Sequence, residues 1–326
     1  MHKQAVFNSE LVKYDNFLGG NLNSPIFNVQ RSELLCIILD LTPSWWLKFS
    51  DQTLSTFVDT IISFSSLYLT FSTQKELAII GVIPEKSEYI YTTDMKSDIP
   101  SSICSTKNGY LQFFETKIRE NIYKLINSSN SLVNCVNLSG GFIKSLCYFK
   151  RMLKINSSLN NNQFEFSGRF IVVRTGLPDS SSCFMSMMNG VFTAQKHDIC
   201  IDVCILNPDD SSMNNSQPTE FDKTNILRQS VDMTNGIYLT INKIRDLLQY
   251  FITLYLTDVC DRKCMTMINN SSVDIDFRAS CFCHGTLVSV GYVCSLCLAV
   301  YCQYSSVCDC CDAVFHDKKL RINGEC

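Results

Sequence analysis

The run LLCIIL at residues 34–39 is continuous and apolar, is too short for a helix, and ends at Asp40, as a strand buried on both faces requires. Outward from it, residues 52–69 place Leu54, Phe57, Val58, Ile61, Ile62 and Phe64 at helical spacings, and residues 77–83 read LAIIGVI. That is strand, helix, strand. Two more helices are expected at 113–126 and 138–155, the second with Phe142, Leu146, Phe149 and Leu153 on one face and Lys144, Lys150 and Arg151 available to solvent. The alternation then becomes regular: strand at 170–173, helix at 184–196, strand at 199–206, helix at 225–233 and strand at 237–241. An amphipathic helix at 243–255, with Ile244, Leu247, Leu248 and Phe251 on its stripe, closes the unit.

Alternating strands and helices predict an α/β fold: a doubly wound, mostly parallel sheet of about six strands within residues 30–257, with helices on both faces. Three Asn/Ser-rich stretches, at 127–131, 156–162 and 207–216, cannot bury enough apolar surface to offset chain entropy and are expected to be loops. A fourth, at 269–272, reads as linker. The expected division is an N-terminal extension at 1–29, the sheet domain at 30–257, a linker at 258–275, a cysteine-rich domain at 276–316 and a short tail at 317–326. No internal repeat is found.

The chain has 326 residues, 46% of them apolar and 18% charged, which is a globular composition. Lys and Arg number 28 against 31 for Asp and Glu, a net charge of -3, which argues against a dedicated polyanion binder. The apolar stretches at 61–71 and 247–256 are broken by polar residues, so no membrane helix is expected. Residues 1–10 lack the apolar core of a secretion signal, so a reducing compartment is expected.

Of the 18 cysteines, half lie before residue 281 and half from Cys281 onward. Cys36, Cys200 and Cys204 sit in apolar strand-like runs, where a thiol acts as a small hydrophobe. The late ones are paired: Cys294 and Cys297 form one CxxC, Cys308 and Cys311 a second, with ten residues between. Two such knuckles supply four thiolates to one tetrahedral Zn²⁺, in a segment with little core of its own. One tightly held structural zinc is therefore expected, with Cys310 a bystander. Cys281, Cys283, His284 and Cys302 could form a second, cross-braced site, but Cys281 and Cys283 are one residue apart and Cys302 lacks a CxxC partner, so packing or roles behind the ligands are the favoured reading. The order of Cys and His does not follow a RING finger.

Charge weighs against nucleic acid at this ribbon. From residue 276 to 316 the only Lys or Arg is Arg278, set against Asp276, Asp309 and Asp312, and four thiolates outweigh one Zn²⁺. A protein-docking module is expected instead, with Phe282, Leu287, Val290, Tyr292, Tyr301 and Tyr304 as apolar material.

After the first strand, Asp40, Thr42 and Ser44 have the Asp-x-Ser/Thr-x-Ser form that von Willebrand A domains use for Mg²⁺. Mg²⁺ needs further oxygen ligands from later loops, yet the strand at 170–173 is followed by Arg174 and Thr175 where an acid is wanted. The site reads as degenerate and empty. No Ser/His/Asp or Cys/His set is apparent, and Gly19, Gly20, Gly140 and Gly141 lack a phosphate-loop frame, so no enzyme is expected.

Five phrases together resemble the thirty-four-kilodalton subunits of general transcription factor TFIIH: LDLTPSWW at 39–46, KSLCYFKRM at 144–152, VFTAQKHDICIDVCIL at 191–206, DFRASCFCH at 276–284 and GYVCSLCLAVYC at 291–302. The resemblance implies a von Willebrand A-like domain of Rossmann type joined to a C-terminal four-cysteine zinc finger, its ligands falling on Cys294, Cys297, Cys308 and Cys311. It implies an architectural role in the nucleus, in RNA polymerase II initiation and nucleotide excision repair. The implied partners are other TFIIH core subunits, chiefly a sister subunit with its own A-like domain and zinc finger, and helicase subunits through the complex. Two alternatives from other classes are a Mg²⁺-dependent A domain that binds a ligand carboxylate, and a zinc ribbon that binds DNA.

Overall fold

The structure, a computed structural model, describes residues 5–6, 31–71, 75–94, 107–128, 137–159, 165–175, 184–206, 226–257, 262, 279–283 and 287–315. Two compact units emerge, a sheet unit that includes residues 31–206 and 226–262, and a cysteine unit that includes residues 279–315. The expected loop at 207–216 and the linker patch at 269–272 lie outside the described residues.

In chain order the elements begin with β1 (Ala5–Val6), β2 (Arg31–Asp40), α1 (Pro43–Trp46), α2 (Asp51–Phe71), β3 (Lys75–Val82), β4 (Ser87–Thr92), α3 (Lys107–Asn127) and α4 (Ser139–Leu159). They continue with β5 (Glu165–Thr175), α5 (Phe184–Lys196), β6 (Cys200–Leu206), α6 (Ile226–Thr234), β7 (Tyr238–Ile241) and a composite helix α7. The cysteine unit contributes β8 (Ala279–Ser280), β9 (Leu287–Val288), β10 (Val290–Val293) and β11 (Val300–Tyr301), and β1 pairs antiparallel with β10.

The sheet has six strands in the order β4-β3-β2-β5-β6-β7, all parallel except β4. LLCIIL is the centre of the middle strand: Ile37 lies between Ile79 and Ile171, and residues 34–39 have no exposed surface. Helices cover both faces, which is why a continuous apolar run rather than an alternating one forms this strand. On one face α2 packs against α7, Phe64 edge-on to Phe251 at 5.0 Å, and Asp59 of α2 pairs with Arg119 of α3 at 2.6 Å. On the other, α4 sets Phe142 against Phe170 of β5. Gly141 permits that approach, since a Cβ there would lie 2.4 Å from a Val82 methyl. Cys36 and Cys204 are fully buried, and burial pushes both thiols far up, consistent with small hydrophobes.

Several elements differ from the sequence reading. Strand β4, the antiparallel edge, was not anticipated; its YIYT segment has the composition of a strand and follows β3 through a short turn. The helix α4 runs to Leu159, so residues 156–159 are helical where a loop was expected. The Ser157 hydroxyl donates to the Lys154 carbonyl, the local bond by which serine is accommodated in a last helical turn. Helix α7 is not one α-helix: a 3₁₀ turn (Ile244–Asp246) leads into one α turn (Leu247–Tyr250) and a π turn (Phe251–Tyr255). The wide turn brings both Phe251 and Tyr255 fully inside, where the Tyr255 hydroxyl donates to the Val203 carbonyl at 2.9 Å. Finally, α2 is long and apolar enough by length and composition to cross a membrane, contrary to expectation. Its Phe57, Val58, Ile61, Phe64 and Tyr68 are buried within the fold, as in the core helix of a sheet domain.

Beneath α2 and α7 lies a chain of buried charges. Glu33 accepts a hydrogen bond from the Tyr68 hydroxyl and pairs with Lys75 at 3.5 Å and with Arg169 at 3.5 Å. The Arg169 side chain is wholly buried and donates to the Thr257 carbonyl at 2.6 Å. Next to it on β6, Asp202 receives both guanidinium nitrogens of Arg262, at 2.8 and 2.7 Å, and the Ile237 amide at 2.8 Å. Arg262, which falls in the segment read as linker, is thus anchored on the sheet domain.

Candidate functional site

The β10–β11 hairpin carries Cys294 and Cys297 in its turn, and the same turn is built again at Cys308 and Cys311. In the first, the Cys294 amide donates to the Ala299 carbonyl at 3.0 Å, the Leu298 amide donates back to the Cys294 carbonyl at 3.0 Å, and Leu298 has φ 62°. In the second, the Cys308 amide donates to Ala313 at 2.9 Å, the Asp312 amide to Cys308 at 2.8 Å, and Asp312 has φ 56°. Val293 pairs with Val300 across the first turn and Val307 with Val314 across the second. The sequences are VCSLCLAV at 293–300 and VCDCCDAV at 307–314, an eight-residue repeat that the sequence reading did not find. In each turn the left-handed residue after the second cysteine lets the chain fold back under the two sulfurs.

The two turns face each other. All four Sγ atoms lie within 4.8 Å of one another, with Cys294 to Cys311 at 3.7 Å and Cys297 to Cys308 at 3.6 Å. A metal with thiolate bonds of about 2.3 Å in a tetrahedron separates its sulfurs by about 3.8 Å, so these residues can hold such an ion with little movement. Burial opposes ionisation of Cys308, but the Tyr301 hydroxyl and the amides of Cys310 and Cys311 outweigh it and hold this thiol down to about 7. Burial pushes the Cys297 thiol up. Four such thiols ionise together only around a cation, which is the chemistry of a metal-dependent fold.

The other sequence-derived residues are distributed as follows. Cys281, Cys283 and Cys302 come together, their sulfurs within 4.8 Å of one another; His284 lies outside the described residues. Phe282 is half-buried and Tyr301 is buried, its hydroxyl against Cys308, so Tyr301 is an internal prop rather than docking material. Among the described residues of the cysteine unit, the exposed large apolar side chains are Val290, Tyr292, Leu296, Leu298, Val307 and Val314, four of them on the two knuckle turns.

Asp40 and Thr175 end the two neighbouring strands β2 and β5, from which the sheet is wound in opposite directions; a doubly wound fold places its ligand site at such a switch point. Here protein donors occupy the carboxylate. Its Oδ1 accepts from the Thr42 amide at 3.0 Å and the Thr42 hydroxyl at 2.5 Å. Its Oδ2 accepts from the Thr175 amide at 3.1 Å and from the Thr175 hydroxyl. The Trp46 indole N–H donates to the Asp40 carbonyl at 3.2 Å, and Ser44 is half-buried in α1. Arg174, beside Thr175, is buried. Among the described residues, no group of three acidic, Cys or His ligands forms around Asp40.

With both oxygens engaged, Asp40 acts as a clasp between the β2 and β5 ends. Asp40→Ala is expected to cost about 2–3 kcal/mol in urea unfolding, since it leaves the Thr42 and Thr175 amides buried and unpaired. Millimolar Mg²⁺ is expected to leave the thermal midpoint of the wild-type chain unchanged, because an ion that binds the native state would raise it.

The sequence pattern of the family described as Transcription factor Tfb4 matches residues 32–312. The chain is 30% identical over 287 residues to the general transcription and DNA repair factor IIH subunit tfb4 of Schizosaccharomyces pombe, covering 86% of this chain and 88% of that one. It is 27% identical over 296 residues to the corresponding TFB4 subunit of Arabidopsis thaliana, covering 88% and 90%. In fold it is similar to the crystal structure of the TFIIH p34 N-terminal domain, with a TM-score of 0.54 and 21% identity over 68% of this chain and 96% of that one. A pattern that runs from the first residues of β2 to the last knuckle takes in both units described above, and the chain belongs to the Tfb4 family of transcription factors.

Proposed function

We propose that this chain is a non-catalytic structural subunit of the TFIIH core, working in the nucleus in RNA polymerase II initiation and in nucleotide excision repair. The observation that carries this reading is the family match across residues 32–312, which takes in the sheet domain and the four-cysteine centre together. Its relatives are named as subunits of a transcription and DNA repair factor.

In this reading Cys294, Cys297, Cys308 and Cys311 hold a structural Zn²⁺, the ion suited to four thiolates in a closed tetrahedron. The metal fixes the two knuckle turns so that Leu296, Leu298, Val307 and Val314 project as an apolar docking surface. The cysteine domain's acidic balance supports a protein partner over nucleic acid. The sheet domain docks the sister subunit that carries an A-like domain and a zinc finger, and the engagement of both Asp40 oxygens by Thr42 and Thr175 supports binding by shape rather than through a shared cation.

Affinity purification of the tagged full chain from its own cells, followed by mass spectrometry, tests the reading. Other TFIIH core subunits, helicases included, are expected to co-purify in near-equal amounts. Recovery of the chain alone, or with an unrelated complex, would reject the assignment.

A further inference from the structure

The cysteine unit holds a second set of thiols that the four-cysteine centre does not use. Hairpin β8–β9 pairs Ala279 with Val288 and Ser280 with Leu287, and residues 281–283 follow its first strand. The Phe282 amide donates to the Val300 carbonyl at 2.7 Å, which lays residues 281–283 against the start of β11. Cys302 follows β11 directly, and its amide donates to Cys281 Sγ at 3.2 Å. Cys283 Sγ lies 3.6 Å from Cys302 Sγ and 2.9 Å from Cys281 Sγ. Three sulfurs therefore converge from two chain segments some twenty residues apart, all within 4.8 Å of one another.

We propose that Cys281, Cys283 and Cys302 bind a second zinc ion, with a non-thiol donor in the fourth position. Three mutually adjacent thiols suit a metal better than a disulfide, which would join two and strand the third. The backbone amide aimed at Cys281 supplies the N–H···S support that thiolate ligands use. Binding displaces three thiol protons to solvent and moves Cys281 and Cys283 apart by about 1 Å, to the sulfur separation of a tetrahedral centre.

The topology gives this ion a task. The first centre closes residues 294–311, and hairpin β8–β9 lies outside that loop, on strands of two residues each. An isolated two-residue hairpin does not hold itself in water. Along the chain the ligands alternate: Cys281 and Cys283, then Cys294 and Cys297, then Cys302, then Cys308 and Cys311. The short β10–β11 ladder has one centre at its turn and the other beyond its far end, so two ions would cross-brace the unit.

Zinc counting on the full chain, purified under reducing conditions, decides the matter. Two zinc ions per chain are expected by native mass spectrometry, falling to one in Cys302→Ser. One zinc in the wild type, unchanged by Cys302→Ser and lost in Cys297→Ser, would overturn the second site while leaving the four-cysteine centre standing. Cobalt titration of the metal-stripped wild-type chain needs no variant to fold: thiolate-to-cobalt absorption should climb to two equivalents, and an endpoint at one would equally overturn the proposal.

Discussion

Cys297→Ser is expected to unfold the cysteine unit outright and to leave the sheet domain with its own cooperative transition. Among the described residues of this unit the buried apolar ones are Cys281, Cys294, Cys297, Cys308, Ala299 and Tyr301, half of them ligands of the four-cysteine centre. So small a core cannot offset chain entropy without a metal. Binding of a structural zinc contributes on the order of 10–16 kcal/mol, more than the whole stability of a small domain, so a missing ligand acts as a folding defect rather than a local trim. Serine keeps the size of cysteine but not a thiolate. Calorimetry of the full-length variant should show the sheet transition near its wild-type temperature, with zinc content reduced. Disappearance of both transitions together would mean that the two units fold as one.

Arg262→Ala is expected to destabilise the sheet domain by about 3–5 kcal/mol, the cost of leaving a buried carboxylate without its partner. Asp202 has no exposed surface, and the two guanidinium bonds are the charged part of its shell; among the described residues the Ile237 amide and the weak Cys200 thiol donor at 3.9 Å would remain. The neighbouring Arg169 is engaged with Glu33 through Nε and with the Thr257 carbonyl through Nη1. Urea unfolding of the single variant measures the loss. The double variant Asp202→Leu with Arg262→Leu should recover most of it, since apolar replacement of a buried pair is often neutral. A single variant within about 0.5 kcal/mol of wild type would show that Arg262 behaves as an ordinary surface residue.

The sheet was legible because parallel strands buried on both faces have a signature that depends only on neighbours in sequence. LLCIIL and CIDVCIL needed nothing from the rest of the chain. Strand β4 was missed because an antiparallel edge, half-exposed and following β3 by a tight turn, breaks the strand–helix alternation on which the reading relied. Arg169, Asp202 and Arg262 were illegible for a different reason: a lone charge in a strand gives no hint of its partner, and Arg262 lies 60 residues from Asp202.

At the four-cysteine centre, spacing alone selected the residues that the fold brings together. The repeat VCSLCLAV and VCDCCDAV is short, and beyond its cysteines only the flanking valines and the alanine recur, a weak signal until the two turns are superposed. The third thiol of the second cluster was harder. Cys302 has no neighbour at knuckle spacing, and only the pairing of β10 with β11, together with the Phe282 to Val300 bond, brings it back to Cys281. At Asp40 the expectation of an empty site rested on Arg174 and Thr175, and the structure gives that threonine a positive role, donating its amide and hydroxyl to the Asp40 carboxylate.

In the proposed function the sheet domain docks by surface shape, with the Asp40 carboxylate held by Thr42 and Thr175. The most direct trial is the affinity of the purified full chain for the rest of the TFIIH core, measured with Mg²⁺ present and again after a chelator has removed it under conditions that spare bound zinc. The dissociation constant should be the same in both. A loss of binding on Mg²⁺ removal, restored by adding the ion back, would mean that Asp40 serves a shared cation and that the pocket is open in the working protein.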